Sequence, residues 1–237
     1  MITKNIFKIH FLFYITGLIC FLTGNFKNFI IFSSIIIVHE LGHIIGALIF
    51  KWKIEKIILL PFGGITIFNE NIDKSLKEEF IIAILGPIFQ MLFYLLYKDN
   101  EIFNYYNIAI LLFNLLPIYP LDGSKIFNVL FNLFLPYKKS HILSIILSFI
   151  FIILIILYKI DLSLILIFIV IELFKEIIKH KYYFNKFLLE RYLNNNNYKK
   201  HKVIKNVTNM KKQTKHIFNI NNKFYTEKEI IKKLFDK

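Results

Sequence analysis

His39-Glu40-Leu41-Gly42-His43 puts three ionisable side chains into a stretch, Phe29 to Phe50, whose only other polar residues are two serines. On a helix His39 and His43 stand at i and i+4, so both imidazoles leave one face and can grip a single metal ion. Glu40 lies one residue round from the first histidine, within reach of water polarised by that ion. This is the H-E-x-x-H arrangement of metalloproteases, with histidines as zinc ligands and glutamate as general base. Charge at membrane depth is costly and marks function. The competing reading, histidines bonded to neighbouring helices and Glu40 paired with a lysine, must account for all three residues at once.

A zinc site with two histidines needs a third protein ligand and keeps its fourth position open. Asn114-Leu115-Leu116-Pro117-Ile118-Tyr119-Pro120-Leu121-Asp122-Gly123 offers one. Its two prolines break a helix and free backbone groups that protein or water must hold. Asp122 follows directly and is the expected ligand; its alternative role is N-cap of a short helix over Ser124–Phe134. Glu101 and Asp161 fall at the outer ends of apolar segments, and Glu172 reads as a snorkelling pair with Lys175. Asn114 steadies substrate backbone or Asp122, or else bonds a neighbouring helix. Gln90 is expected in an interhelical hydrogen bond. His10, His141 and His180 sit at segment ends and read as interfacial. Cys20 has no partner for an internal disulfide and reads as a small buried apolar residue.

The elements that position these residues follow from hydropathy. Hydrophobic residues make up 56% of the chain and mean hydropathy is +0.55, values of a membrane protein rather than a soluble one. Most of the net charge of +14 lies beyond Lys179, with Arg191 the sole arginine. That pattern suits a cytosolic face beside anionic lipid and argues against direct nucleic-acid recognition. Six apolar segments fall near 7–23, 28–50, 79–97, 102–120, 140–158 and 160–178. Lys4 and Lys8 before the first resemble a signal peptide, but no small-residue cleavage site follows, so a retained helix is expected.

Lysines cluster before the first segment and after the second and fourth, which places both termini in the cytosol. The second segment then runs inward, with His43 about 10 Å from its cytosolic end. Ile54–Leu60 and Ile65–Phe68 flank Pro61-Phe62-Gly63-Gly64, the pattern of a hairpin or re-entrant turn. Gly63 and Gly64 count as supporting residues, since a free strand edge here can pair with an extended substrate. The bland alternative is an amphipathic interface loop. Gly86-Pro87 predicts a kink in the third segment. Beyond Lys179, Tyr182–Leu193 reads as an amphipathic helix, Asn194–Asn197 as a linker, Val203–Val207 and His216–Ile220 as strands, and Tyr225–Phe235 as a helix.

The expected architecture is an α-helical polytopic membrane protein of six transmembrane helices. It carries a re-entrant β-hairpin after the second helix and a small α+β cytosolic tail. The expected divisions are a membrane domain at 1–178, a linker at 179–197 and a tail at 198–237.

These motifs together resemble the site-2 protease family of intramembrane zinc metalloproteases. His39-Glu40-Leu41-Gly42-His43 matches its H-E-x-G-H, and Asn114-x-x-Pro117-x-x-Pro120-Leu121-Asp122-Gly123 its N-x-x-P-x-x-P-L-D-G. Leu59-Leu60-Pro61-Phe62-Gly63-Gly64 and Leu85-Gly86-Pro87 match intervening landmarks in order. Gln90 stands where an asparagine often follows the Gly-Pro, and Ser124 replaces a common second glycine. The resemblance implies Zn2+ held by His39, His43 and Asp122, Glu40 as catalytic base, and Asn114, Gly63, Gly64 and Pro120 in supporting roles. Phe187-Leu188-Leu189-Glu190-Arg191-Tyr192 adds a likeness to a sporulation branch of the family. Its implied partners are a membrane-associated pro-sigma factor as substrate, membrane regulatory proteins and the lipid bilayer, and the tail would be a short, degenerate CBS-like unit. A metal transporter using the same ligands as a transit site is the alternative. Transport would want ionisable groups spaced along a path, whereas this chain clusters them at one depth.

Overall fold

Runs of Ile, Leu and Phe uninterrupted by proline close their backbone hydrogen bonds internally, the condition for helices in an apolar surrounding. The computed structural model describes residues 6–61, 63–158, 163–194, 198 and 200–236. Lys4, Phe62, Asp161 and residues 195–197, which entered the expectations above, lie outside the described residues. The chain is mostly helical and divides into two compact units.

The first unit comprises the chain up to Glu70, together with Phe80–Leu116 and Pro120–Gly123. Its elements are β1 (Phe7–Ile9), α1 (Phe11–Leu22), α2 (Phe26–Ile49), β2 (Ile54–Leu60), β3 (Gly63–Phe68), most of α3 (Leu76–Tyr97), and α4 (Glu101–Asn114). The expected first segment, 7–23, requires correction. Phe7–Ile9 pairs in parallel with Ile57–Leu59 as a strand, and only the 12 residues of α1 are helical, capped by His10 through its side chain. At 1.5 Å per residue α1 spans about 18 Å, short of a bilayer core of about 30 Å. The fourth segment likewise stops at Asn114, because the prolines at 117 and 120 prevent the helix from continuing. β2 and β3 form the antiparallel hairpin, with Ile58 opposite Ile65 and Leu60 opposite Gly63. Among the described residues the sheet order β1-β2-β3 leaves β3 with one edge that no strand pairs. Ile35 and Ile36 of α2, Leu59, Phe103 and Ile110 pack as the core of this unit.

The second unit holds Asn71–Glu79, Pro117–Tyr119 and the chain from Ser124 on. It contains α5 (Asp122–Phe134) from its third residue, α6 (Tyr137–Leu157) and α7 (Ser163–Leu193). The tail adds β4 (Lys200–Ile204), a short 3-10 turn at Val207–Asn209, β5 (Thr214–Ile220), β6 (Lys223–Thr226) and α8 (Glu227–Phe235). With neither glycine nor proline inside it, α7 runs unbroken through the expected boundary at 178 to Leu193. The tail sheet pairs β4 parallel and β6 antiparallel to β5. Thr226 and Glu229 close a capping box at the start of α8. Among the described residues α2, α3 and α6 are long and apolar enough to cross a membrane, by length and composition.

A charged knot secures the tail. Arg191, 3% exposed, pairs with Asp73 at 3.2 Å and with Glu227 at 3.6 Å, and donates to the carbonyl oxygens of Lys211 and Thr214. Lys212 pairs with Glu79, and Glu190 accepts the backbone N–H groups of Ile72 and Asp73. Removing one partner of such a buried group strands the other charges. Arg191→Ala is therefore expected to lower stability by about 3–5 kcal/mol and to speed amide exchange across β4, β5 and α8. Thermal unfolding and hydrogen–deuterium exchange in detergent micelles check both.

Candidate metal centre

His39 and His43 project from one face of α2, each 3% exposed or less. Their Nε2 atoms lie 3.1 Å apart, and each is 2.8 Å from Oδ2 of Asp122. Asp122 is the first residue of α5. There an acid also suits the positive end of the helix dipole, but its carboxylate oxygen faces the two imidazoles.

The second nitrogen of each ring faces an acceptor, which selects the neutral tautomer. Nδ1 of His43 is 2.8 Å from the carbonyl oxygen of Ile82, which can only accept, so this nitrogen carries the proton. Gln90 donates through Nε2 to the carbonyl oxygen of Asn107 at 2.8 Å. Its Oε1 therefore faces His39 Nδ1, again at 2.8 Å, and takes that proton. In the neutral form of each ring, Nε2 is then the nitrogen with the lone pair. Two such nitrogens and a carboxylate oxygen converge in a buried place, where like partial charges repel unless a cation lies among them. Two imidazoles and one carboxylate suit zinc. Their separations fall slightly inside the roughly 3.3 Å edge of a tetrahedron with bonds of 2.0–2.1 Å. Carbonyl and amide partners behind ligating histidines are the usual outer support of such sites.

Glu40, also buried, lies one helix position round from His39. The hairpin supplies its partner: Thr66 of β3 donates its hydroxyl to Glu40 Oε2 at 2.7 Å. A ligand atom from each of His39, Glu40 and His43 falls within 4.8 Å of the others. Two glycines allow the assembly. A Cβ on Gly64 would overlap the Glu40 carboxyl group, and one on Gly86 would overlap the His39 and His43 rings.

The structure thus brings His39, His43 and Asp122 together, with Glu40 beside them. Asn114 is buried, its Oδ1 3.5 Å from where a Cβ on Gly63 would stand. Pro120 lies two residues before Asp122, in the same unit. Gln90 makes the interhelical bond expected of it, and its further partner is a site histidine. Thr66 and the Ile82 carbonyl were not anticipated: a threonine in a strand has no distinctive pattern, and a backbone carbonyl has no residue type at all. Glu172 pairs with Lys175 at 2.6 Å. His141 is not interfacial but buried, 2.7 Å from Glu176, and its other ring nitrogen faces His180.

The fold and the donor set define a zinc metalloprotease of the membrane-helical kind. Residues 27–97 match Peptidase family M50. Stage IV sporulation protein FB of Bacillus subtilis is 38% identical over 81% of this chain and 73% of its own length. A zinc metalloprotease of Methanocaldococcus jannaschii is 34% identical over 47% of this chain and 36% of its own. The solved site-2 protease of that archaeon shares the fold, with a TM-score of 0.56 and 22% identity over 72% of this chain and 89% of its own. The chain belongs to peptidase family M50, the site-2 proteases, and its cofactor is zinc.

Gly86→Ala tests the close approach. The added methyl must push the imidazoles aside, so zinc affinity is expected to fall by at least about tenfold, on the scale of losing an outer-shell partner. Competition against a chelator of known affinity measures it.

Proposed function

We propose that the chain hydrolyses a peptide bond within or next to the membrane, with His39, His43 and Asp122 holding zinc and Glu40 as general base. The observation that carries this reading is the meeting of three lone-pair atoms, 2.8–3.1 Å apart, with a buried carboxylate on the adjoining helix position. Bound zinc supplies a Lewis acid that acidifies water and polarises a peptide carbonyl. Glu40, oriented by the Thr66 hydroxyl, takes the water proton and delivers it to the departing amide nitrogen. Gln90 and the Ile82 carbonyl keep both imidazoles in the tautomer that leaves Nε2 unprotonated.

The free edge of β3 supports a mode of substrate capture. An extended segment added there by β-pairing would run alongside the strand whose Thr66 holds the base. Gly63 and Gly64, at the start of that strand, keep its backbone open to such a neighbour, and Asn114 and Pro120 support the stretch leading to Asp122. The lysine distribution supports cytosolic termini and a hairpin entering the membrane from that side. Six helices, α1–α4, α6 and α7, then form the membrane part. At 12 and 14 residues, α1 and α4 require a thinned bilayer or partial insertion. Likeness to a sporulation protein supports a membrane-associated transcription factor, a pro-sigma factor, as substrate. It also supports regulation by membrane partners and a CBS-like role for the tail from residue 198.

Glu40→Gln is expected to keep zinc and to lower cleavage by about 10²–10⁴-fold, whereas Asp122→Asn should weaken zinc binding as well. Co-expression with candidate membrane-tethered transcription factors, scored for a shortened product, reads the first; metal content of purified protein reads the second. Normal turnover by purified Glu40→Gln protein would remove the mechanism.

A further inference from the structure

Pro117-Ile118-Tyr119 is the route by which the chain reaches Asp122, and α6 and α7 hold this tripeptide from two sides. Ser148 of α6, with no exposed surface, accepts the Tyr119 backbone N–H at 3.0 Å. Its hydroxyl donates toward the carbonyl oxygens of Pro117, at 3.2 Å, and Ser144, at 2.9 Å. Between two prolines these backbone groups belong to no helix ladder, and burying them unpaired is costly. A single hydroxyl therefore accepts from the Tyr119 N–H and shares its one proton between the Pro117 carbonyl and its own helix.

The side chain of Tyr119 is held separately. Its hydroxyl bonds Glu176 of α7, whose carboxylate lies 2.7 Å from His141 Nε2. His141 Nδ1 in turn meets His180 Nδ1 at 2.6 Å, the rings within 12° of parallel and their centroids 4.9 Å apart, as in an in-plane N–H···N bond. Glu176 and His141 are both 6% exposed, so this anchor is a buried hydrogen-bonded chain rather than a surface contact.

We propose that Ser148 is a positioning residue for Asp122, pinning the backbone three residues ahead of the carboxylate so that Oδ2 stands where the metal requires it. This rests on the reading of Asp122 as a zinc ligand. Ser148 touches neither metal nor substrate, and it acts through the loop. Its effect must therefore appear in metal affinity and must depend on Asp122.

The test is a double-mutant cycle on the full chain purified in detergent, with zinc affinity read by chelator competition and unfolding midpoints measured in parallel. Ser148→Ala is expected to weaken zinc binding about 10–100-fold, the range for outer-shell partners, and to have no further effect once Asp122→Ala is present. Wild-type affinity in Ser148→Ala would overturn the proposal, as would a loss of the same size in both backgrounds, which would mark a general defect of the fold. If Asp122→Ala alone retains full affinity, the ligand reading fails first and the positioning role with it. Should Ser148→Ala not be recovered folded, Ser148→Cys, close in size but a poor hydrogen-bonding group, carries the same cycle.

Discussion

As the proposed zinc ligands, the two Nε2 atoms and the Asp122 carboxylate oxygen set the terms for the rest of the first unit. In an apolar surrounding their repulsion is little screened, so the convergence of His39, His43 and Asp122 has to be imposed from outside. Gln90 and the Ile82 carbonyl impose it on the rings, and both come from α3. That helix must therefore lie close against α2. Gly42 permits this by leaving no side chain where the Leu85 carbonyl passes, and Gly86 leaves room for the rings themselves. Tight approach through small residues is how membrane helices associate where burial offers no driving force. Here the same contact also places an acceptor behind each imidazole.

Glu40 presents a different problem with a different answer. One step along a helix turns a side chain by about 100°, so Glu40, the proposed base, does not share the support that α3 gives the histidines. A second element has to reach it, and β3 does so with a hydroxyl and a glycine, Thr66 and Gly64. The hairpin is thus required by the geometry of H-E-x-x-H on a helix, whatever else it does. Among the described residues β1 adds a parallel strand on the far edge of the sheet and no strand pairs the outer edge of β3.

The parts of the fold and site legible in the sequence were those encoded by spacing within one segment. The i, i+4 histidines, the hairpin around Pro61-Phe62-Gly63-Gly64 and the helix break at Pro117 and Pro120 all have local causes. The illegible parts depend on partners far away in the chain. Phe7-Lys8-Ile9 is as compatible with a helix start as with a strand, and only pairing with Ile57–Leu59 decides it. His141, Glu176 and His180 each sit near a segment end, where an interfacial place explains any one of them. Glu176 and His180 share a helix face at i, i+4, but the contact that makes them a cluster reaches back 35 residues from Glu176 to His141. The continuity of α7 past residue 178 was hidden for another reason: a change from apolar to charged composition alters what surrounds a helix without breaking it.

Chain connectivity gives the tail's charged knot its meaning. Asp73 and Glu79 belong to the stretch Asn71–Glu79, which Arg191, Glu190 and Lys212 hold by ion pairs and by bonds to backbone N–H groups. That stretch, with the first turn of α3, is the covalent join between β3, whose Thr66 bonds Glu40, and the part of α3 that bonds both histidines. A loose join would let these two elements move independently, and a small misplacement of reacting groups is enough to cost large factors in rate. A buried arginine is a poor way to gain net stability, since its desolvation nearly cancels the attraction it makes. It is an effective way to specify one arrangement, because few alternatives satisfy Asp73, Glu227 and two carbonyl oxygens together. The grip of the tail is therefore better understood as fixing the geometry of a connection than as adding to the stability of the fold.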